Sequence, residues 1–131
     1  MISQRLRAPA VTLALALACI PATIVTVNAR NIYDGAWSVL IVTNEGSCDR
    51  AYRYGVQIAN GNVIYDGAAG GLITMQGRVT SSGAVKVIVQ GGSQWASGTG
   101  RLKGARGSGV WRGQGMGGDC SGVWEAERRR S

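Results

Sequence analysis

Cys48 and Cys120 carry the most reactive side chains in the chain, which has three cysteines and no histidine. Two thiols can form a disulfide, bind a metal ion or perform redox chemistry. Metal and redox sites favour closely spaced cysteines, often together with histidine, whereas these two are far apart in sequence. We therefore predict a structural disulfide between Cys48 and Cys120. It would close a loop of about 73 residues and stabilise the fold by about 4 kcal/mol.

Catalysis needs a nucleophile with a base within reach, and histidine, the commonest base, is absent from all 131 residues. The glycines lie in strand and hairpin patterns and not in a strand-to-helix loop that cradles phosphate. Most carboxylates fall in turn sequences, where capping of backbone N–H groups is common; they are Asp34, Glu45, Asp49, Asp66 and Asp119. We therefore expect that the protein is not an enzyme and that it has no catalytic residue, no cofactor and no metal site.

Basic and aromatic side chains offer binding chemistry instead. Arg101 and Lys103 stand two residues apart and share one strand face with Trp95. The candidate partner-binding residues are Arg50, Trp95, Arg101, Lys103 and Arg112. The expected partner is a protein or an anionic envelope component, and no specific nucleic acid is expected. A solvated surface without a partner stays an open alternative, because Glu125 and Glu127 fall on the neighbouring outer face.

The N-terminal residues predict export. Two arginines, an apolar stretch over residues 11–20 and a small residue, Ala29, form the pattern of a secretory signal peptide over residues 1–29. The apolar run is shorter than the about 20 residues that span a bilayer, so no transmembrane anchor is expected in the mature chain. Cleavage after Ala29 would leave one domain, residues 30–131, with twelve basic and seven acidic residues. Lipidation at Cys19 is the alternative, because the residues before it loosely resemble a lipobox.

An exported protein meets an oxidising compartment, which favours the disulfide. We expect the mature domain to be located in the periplasm or to be secreted.

The elements that must position these side chains are β-strands. Apolar and polar residues alternate, and turn sequences rich in Asn, Asp and Gly recur at short intervals. We predict an all-β domain of eight strands, approximately residues 36–42, 51–58, 62–65, 72–80, 84–90, 94–102, 108–114 and 120–128. Successive hairpins of this kind make a small antiparallel up-and-down barrel that closes on itself. Tyr52 and Tyr54 form one face of the second strand and are candidates for contacts at the rim.

Three Gly-x-Trp sequences indicate what the interior contains. Trp37, Trp111 and Trp124 each share a strand face with a glycine, which gives an inward indole room in a narrow barrel. Cys120 has the same parity as Trp124, so we expect it to point inward and the disulfide to lock the seam between the first and last strands. Because tryptophans and valines occupy the inward positions, we expect little space for a ligand of about 300 Å³ or more.

The first Gly-x-Trp and the terminal arginines resemble the calycin structural signature. Calycins are lipocalin-like and avidin-like barrels in which an arginine of the last strand packs across a tryptophan of the first. The matching positions are Gly35, Trp37 and Arg128 or Arg129. As a whole, the chain resembles small exported alphaproteobacterial barrel proteins of unassigned function.

Within the calycins, the chain is similar in size, export and single disulfide to small periplasmic inhibitors of bacterial metalloproteases. Their cysteine after the first strand would match Cys48, but their second cysteine lies much closer to the first than Cys120 does. The sequence therefore predicts an exported, non-catalytic binding barrel, with a metalloprotease inhibitor as the alternative. The oligomeric state stays open.

Overall fold

The computed structural model describes residues 14–21, 30–67 and 72–130, and the signal peptide predicted over residues 1–29 lies largely outside these residues. The described part consists of strands and turns. It contains no helix that is long and apolar enough to cross a membrane. The strands are β1 (Gly35–Glu45), β2 (Ala51–Ala59), β3 (Asn62–Tyr65), β4 (Thr74–Val79), β5 (Ala84–Gly91), β6 (Gln94–Lys103), β7 (Arg106–Gly115) and β8 (Gly118–Arg128).

The eight strands form a closed antiparallel barrel in which each strand pairs with the next and β8 pairs with β1. The closing seam matches Trp37 with Arg128 and Ile41 with Trp124, and a bulge between Thr43 and Glu45 shifts the register near its end. The predicted all-β class, strand number and closure are confirmed. Several strands are longer than predicted, because β5 to β8 are joined by two-residue turns.

One end of the barrel, here called the closed end, is covered by the segment that precedes β1. Tyr33 packs beneath the barrel and its carbonyl accepts a 2.9 Å hydrogen bond from the indole of Trp37. Trp37 and Val79 are only 1% and 2% exposed. Asp34 accepts hydrogen bonds of 3.0 Å from the backbone N–H groups of Asn60 and Gly61 in the β2–β3 turn. The segment is therefore fastened to the strands around it.

Arg128 completes the closed end. Its guanidinium lies 4.8 Å from the centre of the Trp37 ring. It donates hydrogen bonds of 2.7 Å to the carbonyl of Asp34 and of 2.8 Å to that of Ile32. Of the two arginines that the calycin resemblance offered, Arg128 is the one that contacts Trp37.

The disulfide lies at the opposite end, here called the open end. Cys48, in the β1–β2 connection, is bonded to Cys120 near the start of β8, with the two Cα atoms 6.1 Å apart. Cys120 points inward and is 3% exposed. Since β1 and β8 are the strands that close the barrel, the predicted disulfide and its position at the closing seam are confirmed.

Candidate functional site

The interior of the barrel contains a cavity of about 410 Å³. It runs from Trp37 at the closed end to the residues around the open end, where Tyr52 and Ile73 line it and are 47% and 37% exposed. Most of the wall is aliphatic or aromatic, with valines from β1 to β5 and the indoles of Trp111 and Trp124. Among the described residues, the cavity is thus an apolar pocket with its mouth at the open end.

This cavity contradicts the expectation that the inward residues leave little room for a ligand. The three tryptophans are inward and largely buried, as predicted, but they do not cross the lumen. The indole N–H of Trp111 donates a 3.0 Å hydrogen bond to the carbonyl of Val42, and that of Trp124 donates a 3.1 Å bond to the carbonyl of Thr99. Each ring is thereby held along the wall, and the axis of the barrel stays empty.

Glycines on the neighbouring strands make this arrangement possible. Trp111 on β7 is paired with Gly122 on β8, and its indole reaches across that glycine to β1. Trp124 on β8 is paired with Gly109 on β7, and its indole reaches across that glycine to β6. A Cβ atom at Gly109 would lie 2.6 Å from two atoms of the Trp124 ring. Gly109 therefore lies beneath the ring of Trp124, and a Cβ atom at Gly122 would collide with the Val42 carbonyl to which Trp111 hydrogen-bonds.

Three tyrosines, together with Arg53 and Ser97, provide the polar groups of the cavity. The rings of Tyr52 and Tyr54 stack with their centres 6.0 Å apart, and Tyr65 meets Tyr54 edge-on at the same distance. Their hydroxyls bond to no other described side chain, and no described side-chain oxygen or nitrogen is both buried and unpaired. These phenols are therefore accessible to a ligand in the cavity.

Burial raises the pKa of two of these phenols. It raises the pKa of Tyr54 far above the ordinary tyrosine value, with smaller contributions from Tyr52 and Tyr65. Burial also raises the pKa of Tyr52, and the charge of Asp49 adds to the effect. An ordinary tyrosine is already protonated at physiological pH, so both hydroxyls can donate a hydrogen bond to an acceptor on a ligand, and burial extends this to more alkaline pH.

The residues proposed from sequence as partner-binding are spread over the outer surface. Arg50 is exposed in the β1–β2 connection at the open end. Trp95, 40% exposed, lies diagonally across from Arg112, since their strand partners are Gln114 and Ser97. Arg101 and Lys103 lie together near the closed end. The structure thus brings together two pairs, but not all five residues.

Sequence reasoning placed the tryptophans and valines inward and Tyr52 and Tyr54 on one strand face, but it did not assign Tyr65 or Met75 to the interior. Tyr65, Met75 and Val87 line the same space from β3, β4 and β5. The alternation of apolar and polar residues within each strand could have placed these side chains inward. The alternation is weak around Met75, which lies in a strand of only six residues. No group of three or more His, Cys, Asp or Glu side chains that could hold a metal ion occurs among the described residues.

Comparison of the chain with protein-family models, with curated proteins and with solved structures found no match.

Proposed function

We propose that this protein is an exported, non-catalytic binding barrel that holds a small, mainly apolar ligand in its lumen. The observation that supports the proposal is the cavity of about 410 Å³, which Trp37 closes at one end and which no described residue closes at the other. This volume falls within the range of about 300–1,000 Å³ that is typical of small-molecule sites. An apolar wall with a few accessible hydroxyls is also the usual composition of such sites.

The cavity limits the ligand in size and chemistry. At the packing density of about 0.75 found in protein interiors, it holds on the order of 15 to 20 non-hydrogen atoms. Its body should be apolar, because each buried methylene group contributes about 0.8 kcal/mol. A carbonyl, carboxylate or hydroxyl group near the mouth would accept hydrogen bonds from Tyr52 and Tyr54.

Binding of the neutral fluorescent dye N-phenyl-1-naphthylamine tests this proposal. The Val87→Phe variant places a larger side chain on the lumen face of β5, while Ile88→Phe makes a similar change on the outer face of the same strand. The larger side chain takes the space of about two methylene groups of ligand, so the Kd should rise about tenfold. Ile88→Phe should stay within about twofold of the unaltered protein, because Ile88 points to solvent and is 48% exposed.

Absence of dye binding, or an equal loss in both variants, would show that the lumen is not the site. Native mass spectrometry of protein purified from the expressing cells provides an independent readout. It should find an apolar molecule that is lost from Val87→Phe and retained by Ile88→Phe.

Export is part of the proposal and is supported by the N-terminal sequence pattern together with the Cys48–Cys120 disulfide. Intact mass analysis of the exported protein should give an N-terminus at Arg30. A diacylglycerol group on Cys19 would instead identify a lipoprotein. The calycin resemblance is likewise a proposal, and the packing of Arg128 over Trp37 supports it.

The partner predicted from sequence, a protein or an anionic envelope component, is a separate proposal, because it concerns the outer surface. The metalloprotease inhibitor is the alternative within it. The position of Cys48 after β1 favours the inhibitor, whereas its pairing with the distant Cys120 on the last strand counts against it. Stoichiometric inhibition of a bacterial zinc endopeptidase would support the inhibitor, and cleavage unaffected by excess protein would exclude it for that protease.

A further inference from the structure

The two halves of the barrel carry different charge. The half nearer the open end has three basic and three acidic residues: Arg50, Arg53 and Arg112 against Glu45, Asp49 and Asp119. The half nearer the closed end has four acidic residues, Asp34, Asp66, Glu125 and Glu127, and the Asp66 carboxylate accepts a hydrogen bond from Gln57 near the closed end of β2. Its nine basic residues are Arg30, Arg78, Lys86, Arg101, Lys103, Arg106, Arg128, Arg129 and Arg130. The net positive charge of the domain therefore lies in the closed half.

Three of these basic residues form a cluster on the outer face of β4, β5 and β6. Arg78 is directly opposite Lys86. Arg101 is diagonal to Lys86, because its own partner on β5 is Ala84. Like charges that face each other across strands destabilise a sheet, so this arrangement weakens the isolated domain. An external anion would relieve the repulsion.

No carboxylate within the described residues forms an ion pair with the cluster. Arg78 bonds to the neutral side chain of Asn62 at 3.0 Å, and Arg101 to the carbonyl of Ser82 at 3.4 Å. The one ion pair of the described chain joins Arg106 to Glu127 at 3.5 Å, outside the cluster. The three cations are thus available to a partner.

The underside of the closed end adds an exposed aliphatic side chain to this basic surface. Ile32 is 73% exposed, and its carbonyl is fixed by Arg128. Exposed aromatic side chains, which would stack on nucleobases, occur among the described residues only in the open half, at Tyr52 and Trp95. Basic residues around a projecting aliphatic side chain fit the headgroup layer of a membrane better than they fit a nucleic acid.

We propose that the closed half of the barrel docks on the surface of a bilayer that contains anionic phospholipid, with the mouth of the lumen directed away from it. Arg78, Lys86 and Arg101 contact the lipid phosphates, and Ile32 enters the headgroup layer. The inference does not rest on the ligand proposed for the lumen, since it concerns only the outer surface and the charge distribution.

Co-sedimentation with vesicles of equal parts phosphatidylcholine and phosphatidylglycerol tests the docking surface. Each basic residue near an anionic membrane contributes about a fivefold gain in affinity, so Arg78→Gln/Lys86→Gln/Arg101→Gln should weaken binding by about 100-fold. The matched control is Arg50→Gln/Arg53→Gln/Arg112→Gln, which removes the same charge from the open half. It should change the affinity less than about fivefold, because those residues are held away from the membrane.

Equal losses in the two triple variants would overturn the proposal, because net charge alone would then explain the binding. Failure of the unaltered protein to bind these vesicles at about 0.05 M salt would also overturn it. Near-ultraviolet circular dichroism of the tryptophans confirms that each variant is folded. Val87→Phe should bind vesicles normally, so failure of the lumen proposal can be distinguished from failure of this one.

A second comparison separates a membrane from other polyanions. Ile32→Ser should weaken vesicle binding several-fold, whereas Met116→Ser, at a fully exposed turn of the open end, should leave it unchanged. Both variants should bind a DNA duplex equally. Tight binding of the unaltered protein to DNA, without binding to vesicles, would assign the basic half to nucleic acid and refute the bilayer.

Discussion

Replacing Gly109 with alanine should destabilise the barrel, because the new methyl group would collide with the backbone of Thr99 and with the indole of Trp124. The added Cβ would clash with the Thr99 carbonyl oxygen and would lie 2.6 Å from both Cε2 and Nε1 of the Trp124 ring, which is shorter than any normal contact. Forcing such a group into a packed site costs about 1–3 kcal/mol. Displacing the indole also breaks its hydrogen bond to Thr99, which costs about 1 kcal/mol more. The expected loss is therefore about 2–4 kcal/mol.

Gly98 provides the matched control, since it lies beneath the same tryptophan but has more space. A Cβ atom there would be 3.6 Å from Nε1 of Trp124, an ordinary van der Waals distance. Gly98→Ala should therefore be neutral or stabilise the fold by up to about 1 kcal/mol, through the reduced freedom of the unfolded chain.

Thermal unfolding followed by circular dichroism measures the difference between the two variants. In a domain of this size, 1 kcal/mol shifts the Tm by about 4–8 °C, so Gly109→Ala should lower it by roughly 10–25 °C. Urea unfolding gives the corresponding free energies. Equal stability of Gly98→Ala and Gly109→Ala would refute the argument that Gly109 is needed for the close approach of Trp124.

Three further changes test other parts of the structure. Above the ordinary tyrosine pKa of about 10, Tyr54 ionises in the unfolded state but keeps its proton in the folded state, where burial raises its pKa. The contribution of Tyr54 to stability should therefore be complete below pH 10 and fall above it. Urea unfolding at a series of pH values should show a shallower fall for Tyr54→Phe than for the unaltered protein, and an identical fall would contradict the assignment. Cys48→Ser/Cys120→Ser should lower the free energy of unfolding by about 2–5 kcal/mol, and a loss below about 1 kcal/mol would show that the disulfide contributes little. Arg128→Ala should lower the free energy of unfolding by about 2–3 kcal/mol, because it removes the contact with Trp37 and two hydrogen bonds to backbone carbonyls. Arg129→Ala should change the same free energy, measured by urea unfolding, by no more than about 0.5 kcal/mol.

The strands, the closure of the barrel and the disulfide could be predicted because each follows from patterns that are visible in the sequence. Period-two alternation assigns a residue to one face of its strand, and the parity of Cys120 with Trp124 was enough to point that cysteine inward. Strand ends were less certain, because Gly92 and Gly104 allow two-residue turns that extend the pairing on both sides. The turn sequences alone do not reveal how far the pairing continues.

The cavity could not be predicted in the same way, because parity states that an indole points inward but not where its ring lies. Trp111 and Trp124 each hydrogen-bond to a carbonyl two strands away. Those bonds require the register that places Gly122 opposite Trp111 and Gly109 opposite Trp124. Register is set by the whole barrel and cannot be derived from one strand. An estimate based only on which residues point inward therefore predicted a lumen that is more filled than the structure shows.

The two ends of the barrel are held by different interactions, and the cavity explains the difference. At the closed end, Trp37, Tyr33 and Arg128 pack and hydrogen-bond across the opening. Equivalent packing at the open end would fill the entrance to the lumen. A covalent bond between Cys48 and Cys120 joins the strands of the closing seam without occupying the axis of the barrel. The disulfide therefore stabilises the mouth in place of the packing that an accessible lumen excludes.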